Sequence, residues 1–463
     1  MTYRFLILCC SILLIGVPNQ NLLAQDTLKV DLTEFIDRAL NNSGEVSYQS
    51  HEIDLAQNRV QQAREKRILP EVRLDTQHGI VPGVVSQRDE LDKGEFYLDP
   101  NLSNDWENWA VFTRAEMRAV QPIYSWGAVS SAIQAAEAGA RAAEYRFSTV
   151  ENEAKIRLFE LYYSYLLSIE IDRILDDAED QLERVDERVQ EMRDEGNPDL
   201  EESDVFKLEI YKSEFQTRKV EVQQSMDYIR RVWSYALQAQ EGEVFMPDAN
   251  FLDPVPYELR EYEYYRDQAM NSRPELKGVE SGIAAMKSRI DAIRAEQYPI
   301  FYLGITGSFA HTPNRPRQTN PFIINNTNYL SAGFGFGIRQ NLNLFALRNS
   351  IDRAEIEYKQ TQDLERALSD QIVLELNERY REAVIADSKV KQTDEALVTA
   401  RRWVRNEQLN YDIGFGNVED LLDAVQKELE LRVQLKQNIF DLNKKIAALH
   451  KAGGLPFVEL NAN

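Results

Sequence analysis

Four histidines are the residues of this chain most suited to moving protons or binding a metal ion: His51, His78, His311 and His450. They are scattered, and no pair has the spacing that metal-ligand motifs use. No order of Ser, His and Asp indicates nucleophilic catalysis. The glycine-rich run GFGFG at 333–337 lacks the GK[ST] ending of a phosphate-binding loop, and its alternation is typical of a strand. The sequence therefore predicts a protein that is not an enzyme and needs no metal or other cofactor.

The N-terminus has the pattern of a secretory signal peptide. Arg4 supplies a positive charge, an apolar run follows it, and Ala24 lies at a small-residue cleavage pattern. We assign residues 1–25 to the signal. Both cysteines of the chain, Cys9 and Cys10, fall within this segment. The mature protein is therefore expected to have no disulfide and no cysteine chemistry.

The net charge of the chain limits the kinds of molecule that it can bind. The chain has a formal net charge of −23 at pH 7, which argues against nucleic acid as a partner. After the signal, no apolar run has the roughly 20 residues that a transmembrane helix needs. If the chain crosses a membrane, it must do so as a closed β-barrel, because only helices and barrels satisfy every backbone group in lipid.

The mature sequence contains the same pattern twice. The segment ALNNSGEV at 39–46 returns as AMNSRPEL at 269–276. Helices farther along carry matching tyrosines, Tyr162 and Tyr380. Such internal similarity indicates two equivalent structural units. We expect the first repeat over residues 26–245 and the second over residues 258–453, with a proline-rich linker between them.

Two long stretches predict unusually long helices. No proline occurs from 123 to 197 or from 322 to 455, and apolar residues recur in steps of three and four. That spacing averages 3.5 residues, the coiled-coil period. Each long helix is expected to end in a turn, at 195–205 and 411–422, where glycines and Pro198 break the helix and another helix follows. We therefore expect two helical hairpins, each with a helix on the order of 100 Å long.

Four segments between these helices alternate apolar with polar or small residues: 72–80, 109–119, 301–309 and 330–339. Each has about the 9–11 residues that a tilted strand needs to cross a bilayer. In the last segment Phe334, Phe336 and Ile338 are predicted to face lipid. The alternation also fits an ordinary half-buried sheet packed on helices, so both interpretations remain open at this point.

The number of strands decides how a membrane barrel would have to form. Four strands cannot close one, because the smallest known membrane barrels have eight. An open strand edge is not tolerated in lipid. If these strands span a membrane, the barrel must be shared among several chains.

The order of these elements resembles the TolC-like outer membrane factor, or outer membrane efflux protein, family. The passages that carry the resemblance are QPIYSWGAVSSAIQAAEA (121–138), RQNLNLFALRNSIDRAEI (339–356) and YDIGFGNVEDLLDA (411–424). The resemblance implies a mainly α protein with β-strands: a trimeric, 12-stranded outer-membrane β-barrel, four strands per chain, continued by a long periplasmic α-helical coiled-coil barrel. It also implies a homotrimer in outer-membrane lipid that works with a periplasmic adaptor protein and an inner-membrane transporter.

The resemblance also implies where a periplasmic gate would lie. Acidic residues after the second turn face the tunnel mouth in the family, and they match Asp420 and Asp423, one helical turn apart. Acids at the start of a helix are also favoured by its dipole alone. Both explanations fit the sequence.

Polar links between the hairpin tips close the tunnel in the family. Tyr411 matches the tyrosine of this tip latch, and Ser203 and Asp204 match its partner position. Gly416 stands where a basic residue is expected, so the latch of this chain should differ from the family pattern. The resemblance further implies adaptor-contacting tips, at Gly196, Asn197, Gly414, Phe415 and Gly416.

The predicted function is that of an outer-membrane exit duct in a tripartite efflux or type I secretion system of a Gram-negative envelope. The alternative is a soluble periplasmic coiled-coil scaffold without transport activity. Drugs, metal ions and secreted polypeptides all remain open as cargo.

Overall fold

The computed structural model describes residues 26–88, 98–195, 201–318, 320, 322, 326–412 and 418–456 of the 463-residue chain. The predicted signal peptide and the five predicted tip residues lie outside these ranges. Within them, none of the helices is both long and apolar enough to cross a membrane.

The same order of elements occurs twice along the chain. The first half comprises β1 (Asp26–Val30), α1 (Leu32–Asn41), α2 (Gly44–Ile68), β2 (Glu71–Val85), β3 (Ser103–Tyr124), α3 (Ala128–Asp194) and α4 (Glu202–Ala236). The second comprises β4 (Glu243–Pro247), α5 (Tyr262–Ser272), α6 (Pro274–Ala295), β5 (Ile300–His311), β6 (Tyr329–Arg339), α7 (Leu344–Asp412) and α8 (Val418–Ala452). The long helices α3 and α7 are each continuous, over 67 and 69 residues.

Local sequence explains the helix breaks within the repeated segment. In the first copy Ser43 caps α2, and its hydroxyl accepts a hydrogen bond from the Val46 amide at 3.4 Å. In the second copy Pro274 occupies the first turn of α6, where the missing N–H costs nothing. Two different chemistries therefore break the helix at the same place in each repeat.

Four strands form one antiparallel sheet in the order β2–β3–β5–β6. β2 and β3 are longer than their predicted segments, at 15 and 22 residues. A register shift between Pro82 and Gly83 lets the β2–β3 pairing continue beyond an irregularity in the ladder. A small parallel sheet of β1 and β4 was not predicted from the sequence, because strands of five residues show too little alternation to be recognised.

Contacts divide the chain into two compact units. Unit 1 contains residues 26–42, 158–254 and 390–440 of the described chain, and unit 2 contains 43–157, 255–389 and the described residues from 441 onward. The core of unit 1 includes a large apolar cluster contributed by α3, α4 and α8. Unit 2 contains the four-stranded sheet.

Each unit also has an aromatic cluster built on equivalent residues of the two repeats. In unit 1 the Tyr162 ring lies 5.8 Å from the Phe35 ring. In unit 2 the Tyr380 ring lies 6.0 Å from the Tyr265 ring. Both clusters join the first helix of a repeat to its long helix, so the tyrosines matched in sequence occupy matching structural positions.

Candidate functional site

The predicted gate and latch residues that the structure describes all lie at one end of unit 1. There α3 and α7 end, and α4 and α8 begin. We call this part of unit 1 the turn end. Ser203, Asp204 and Asp420 lie in the first turns of α4 and α8, Asp423 lies in the second turn of α8, and Tyr411 lies in the last turn of α7.

A capping box fixes the start of α4. The Asp204 carboxylate accepts a hydrogen bond from the backbone amide of Glu201 at 3.3 Å, and the Glu201 side chain caps the third residue of the helix in return. The Ser203 hydroxyl donates to the Glu201 carboxylate at 3.2 Å. Asp204 is buried, with 4% of its surface exposed. Its described role is therefore structural, and a latch contact to Tyr411 stays a prediction.

The start of α8 presents its two aspartates on one exposed face. Asp420 and Asp423 are exposed, while Leu421 and Leu422 between them are buried in the helical core. Asp423 lines a shallow groove between α4 and α8. The apolar residues hold the helix in place, and both aspartates face water; a role in a gate stays a prediction.

An ion pair that sequence reasoning missed joins the two hairpins at this end. The Lys207 ammonium of α4 donates to the Glu419 carboxylate of α8. Hydrogen bonding to Glu419 raises the pKa of Lys207, and the charges of Asp204 and Asp423 act in the same direction. Both helix starts are acidic and Lys207 is their one base, and this is the sequence signal that could have revealed the pair.

The charge of the turn end differs between its two sides. On the side of α4 and α8, residues 201–207 and 418–423 contribute six acidic side chains and Lys207 as their single base. On the side of α3 and α7, a cavity of 610 Å³ has four arginines in its wall: Arg184, Arg188, Arg401 and Arg405. An acidic surface and a basic surface are thus set on different faces of one helical bundle.

Tyr411 connects α7 to α3. Its hydroxyl lies 2.8 Å from the Met192 sulfur. The pKa of Arg188 is raised mainly by its hydrogen bond to Glu191, with a further hydrogen bond to Tyr411. The tyrosine therefore joins α7 of one hairpin to α3 of the other, and its predicted role in a latch with Ser203 and Asp204 stays a prediction.

The β-sheet has one apolar face that includes the predicted lipid-facing residues. Phe334 and Phe336 are 84% and 82% exposed, and Ile338 is also exposed. In the ladder they pair with Ile305, Leu303 and Phe301 of β5. Directly paired residues lie on the same face. These six side chains therefore form one continuous apolar surface.

The opposite face of the sheet is polar or small. In the β2–β3 ladder it carries Arg73 paired with Arg118 and Asp75 paired with Glu116. Arg73 also pairs with Asp75 along its own strand, at 2.9 Å. The two faces of the sheet therefore differ in polarity, one apolar and one charged or small.

Neither unit shows a metal centre in the part of the chain that the structure describes, since no three His, Cys, Asp or Glu side chains are grouped to hold a metal ion.

The chain matches the family described as outer membrane efflux protein over residues 35–205 and 265–454. Together these ranges cover most of the chain, and the protein belongs to the outer membrane efflux protein family. No curated protein matches the sequence.

Solved outer-membrane channels share the fold. The open-state Neisseria gonorrhoeae MtrE outer membrane channel is 13% identical with a TM-score of 0.70, covering 92% of this chain and 89% of its own. The Campylobacter jejuni CmeC outer membrane channel is 12% identical with a TM-score of 0.68, covering 91% and 85%. The outer membrane protein VceC from Vibrio cholerae is 15% identical with a TM-score of 0.67, covering 92% and 96%. The fold is thus that of outer-membrane channels, mainly helical with a β-sheet.

Proposed function

We propose that this protein is the outer-membrane exit duct of a tripartite efflux or type I secretion system, passively conducting substrate out of the cell. The observation that carries the proposal is the four-stranded sheet with one apolar face and two outer strands, β2 and β6. Such a sheet cannot stand alone in lipid, because the backbone groups of its edges would be unsatisfied.

Three copies would remove these edges by pairing β6 of one chain with β2 of the next. The result is a homotrimer with a 12-stranded barrel, continued by a periplasmic tunnel of helices. Mass measurement in mild detergent should give three chains per particle. A stable folded monomer would contradict this assembly. Recovery of the native protein in the soluble periplasm would instead support the scaffold alternative.

The proposed partners follow from this location. The signal, residues 1–25, directs export of the chain, and repeats 26–245 and 258–453 each supply one hairpin. The hairpin tips would meet a periplasmic adaptor protein that links the duct to an inner-membrane transporter. Photocrosslinkers at Asn197 and Phe415 should capture the adaptor in cells, whereas crosslinkers at Asn320 should not. Equal capture from Asn320 would contradict this orientation.

Asp420 and Asp423 would form the periplasmic gate. In three copies they bring six carboxylates around a narrow opening, and such a ring favours cations. Single-channel recordings should then show cation selectivity, with block by multivalent cations added from the tip side. Replacing both residues with alanine should abolish the block and weaken selectivity.

A matched control removes two acids elsewhere. Asp394 and Glu395 of α7 are exposed and lie away from the start of α8. Their double alanine variant should keep both block and selectivity. If the Asp420/Asp423 variant also keeps them, these aspartates only stabilise the start of the helix.

The closed state would be held by links between hairpins. Lys207–Glu419 supplies one such link, in a chain that has Gly416 where the family pattern has a base. Tyr411 would supply another, and Tyr411→Phe should raise the spontaneous open probability without altering cation block. An unchanged open probability would remove Tyr411 from the latch.

A further inference from the structure

The arginine-lined cavity at the turn end has no acidic side chain in its described wall. It occupies 610 Å³, and each of the two long helices contributes two arginines: Arg184 and Arg188 from α3, Arg401 and Arg405 from α7. The chain as a whole is acidic, with 76 Asp and Glu residues against 53 Lys and Arg residues. A concave site that carries only positive charge is therefore unlike the rest of this protein.

Apolar residues of α8 form the floor of the cavity. Val418, Leu421 and Val425 line it, and all three are buried. A cavity of this volume falls within the range of roughly 300–1,000 Å³ that is typical of small-molecule sites. Clefts that combine one sign of charge with an apolar wall concentrate ions of the opposite sign. The shape and the charge of this cavity both favour a small anion.

The carboxylates near the cavity neutralise only half of its positive charge. Arg188 pairs with Glu191 of its own helix at 2.7 Å, and Arg401 pairs with Glu428 of α8 at 3.5 Å. The other two arginines, one on each long helix, form no ion pair within the part of the chain that the structure describes. Four guanidinium groups and two carboxylates leave a formal surplus of two positive charges. An anion that balances the site must therefore carry at least two negative charges.

The two arginines without an ion pair, Arg184 and Arg405, lie at nearly the same level. Both long helices run towards the turn end and finish there. The Tyr411 hydroxyl lies 2.8 Å from the Met192 sulfur, so these two positions are about level. Arg184 precedes Met192 by 8 residues, and Arg405 precedes Tyr411 by 6 residues. At 1.5 Å per residue, the two arginines differ in height by about 3 Å.

The chemistry of arginine defines the kind of anion. A guanidinium group donates two parallel hydrogen bonds to a carboxylate or a phosphate, which a lysine ammonium cannot do. Two guanidinium groups on opposite walls at one level are suited to a ligand with an anionic group at each end. Like charges that share one cavity also repel each other, and a bound anion removes this repulsion.

We propose that this cavity binds a small oxyanion with two anionic groups, one held by Arg184 of α3 and the other by Arg405 of α7. α3 belongs to the first hairpin and α7 to the second, so the bound anion joins the two hairpins. Binding itself is a property of the cavity alone. Its consequence, a more stable closed state, rests on the proposed duct.

Calorimetric titration of the full-length protein in mild detergent tests the site. Pyrophosphate should bind once per chain at constant ionic strength in a buffer free of divalent cations. Arg184→Gln combined with Arg405→Gln should weaken this binding by roughly tenfold or more, because two charge-assisted contacts are lost. Arg193→Gln combined with Arg402→Gln is the matched control. These arginines are exposed on the same two helices but do not line the cavity, so their loss should leave the affinity unchanged.

Two outcomes of the titration would overturn the site. One is the absence of pyrophosphate binding to the unmodified protein. The other is equal weakening in both double variants, which would mean that the anion responds to the general charge of the helices. A parallel titration with citrate distinguishes a carboxylate ligand from a phosphate ligand, since the tighter of the two fits the cavity better. Melting temperatures without anion check that both double variants fold.

Single-channel recording tests the link between hairpins. Pyrophosphate added from the tip side should lower the open probability of the unmodified protein and not that of the Arg184→Gln/Arg405→Gln variant. Calorimetric binding with an unchanged open probability would overturn the link and leave the site standing. Binding by a protein that forms no channel at all would overturn the proposed duct and not the site.

Discussion

Neutralising Lys207 should open the proposed duct. Lys207→Gln removes the ion pair with Glu419 that joins the first hairpin to the second at the turn end. It also removes the single base among the six acidic side chains of residues 201–207 and 418–423. Both changes destabilise a state in which the two hairpins are held together.

The size of the effect follows from the exposure of the pair. The side chains of Lys207 and Glu419 are 47% and 45% exposed, so water weakens the pair, and its loss should change an equilibrium by at most about fivefold in each copy. If three copies open together, these factors multiply, and the open-to-closed ratio should rise by roughly 3- to 150-fold.

Single-channel recording in planar bilayers measures this ratio directly. The rise should be clearest near 0.1 M salt and should shrink towards 1 M, where charges are screened over about 3 Å. Lys212→Gln is the matched control. Lys212 lies on the same helix and pairs with Asp186 at 2.6 Å, but this pair joins α4 to α3 within one hairpin. Its loss should leave the open probability unchanged.

Two results would refute the reasoning. If Lys207→Gln assembles normally and has the open probability of the unmodified protein, the pair does not hold the hairpins closed. If Lys207→Gln and Lys212→Gln open the duct equally, the effect comes from the general acidity of α4 and not from a link between hairpins.

Two further predictions concern unit 2. Phe336→Arg should destabilise the protein by about 2–4 kcal/mol in a refolding assay in lipid if the residue lies near the bilayer midplane. Gly335→Ser should have a mild effect on stability, because a Cβ there meets no atom within 4 Å. The reverse ranking of the two variants would mean that the polar face meets lipid. The carboxylates of Glu275 and Glu375 lie 2.7 and 2.6 Å from the Arg273 guanidinium. Arg273→Gln should destabilise the protein by about 2–4 kcal/mol, because it leaves both largely buried carboxylates without their partner. Burial alone would raise the pKa of Glu275, but the hydrogen bond and charge of Arg273 outweigh it and lower the pKa below 4.5. This stabilisation is present above pH 4.5 and is lost as pH falls through the lowered pKa. The melting temperatures of the unmodified protein and of Arg273→Gln should therefore converge in acid. A constant difference between them from pH 7 to pH 3 would contradict the assignment.

Local patterns in the sequence were sufficient for much of the architecture. Side chains alternate across a strand and recur every 3.5 residues along a coiled coil. The exposed apolar face of Phe334, Phe336 and Ile338 and the continuous helices α3 and α7 could therefore be predicted. The order of elements in both halves is likewise encoded by short signals, such as the cap at Ser43 and Pro274 at the start of α6.

Contacts between distant residues were decided only by the tertiary structure. Lys207 and Glu419 are 212 positions apart, and no local pattern brings them together. From alternation alone, Gly337 can only be assigned to the polar or small face of β6. Yet a Cβ there would lie 2.4 Å from the Tyr302 ring, which lies over this glycine from the neighbouring strand. Periodicity fixes which face of an element a side chain occupies, because that depends on backbone geometry alone. The partner that it meets on that face depends on register and packing, which the whole chain sets together.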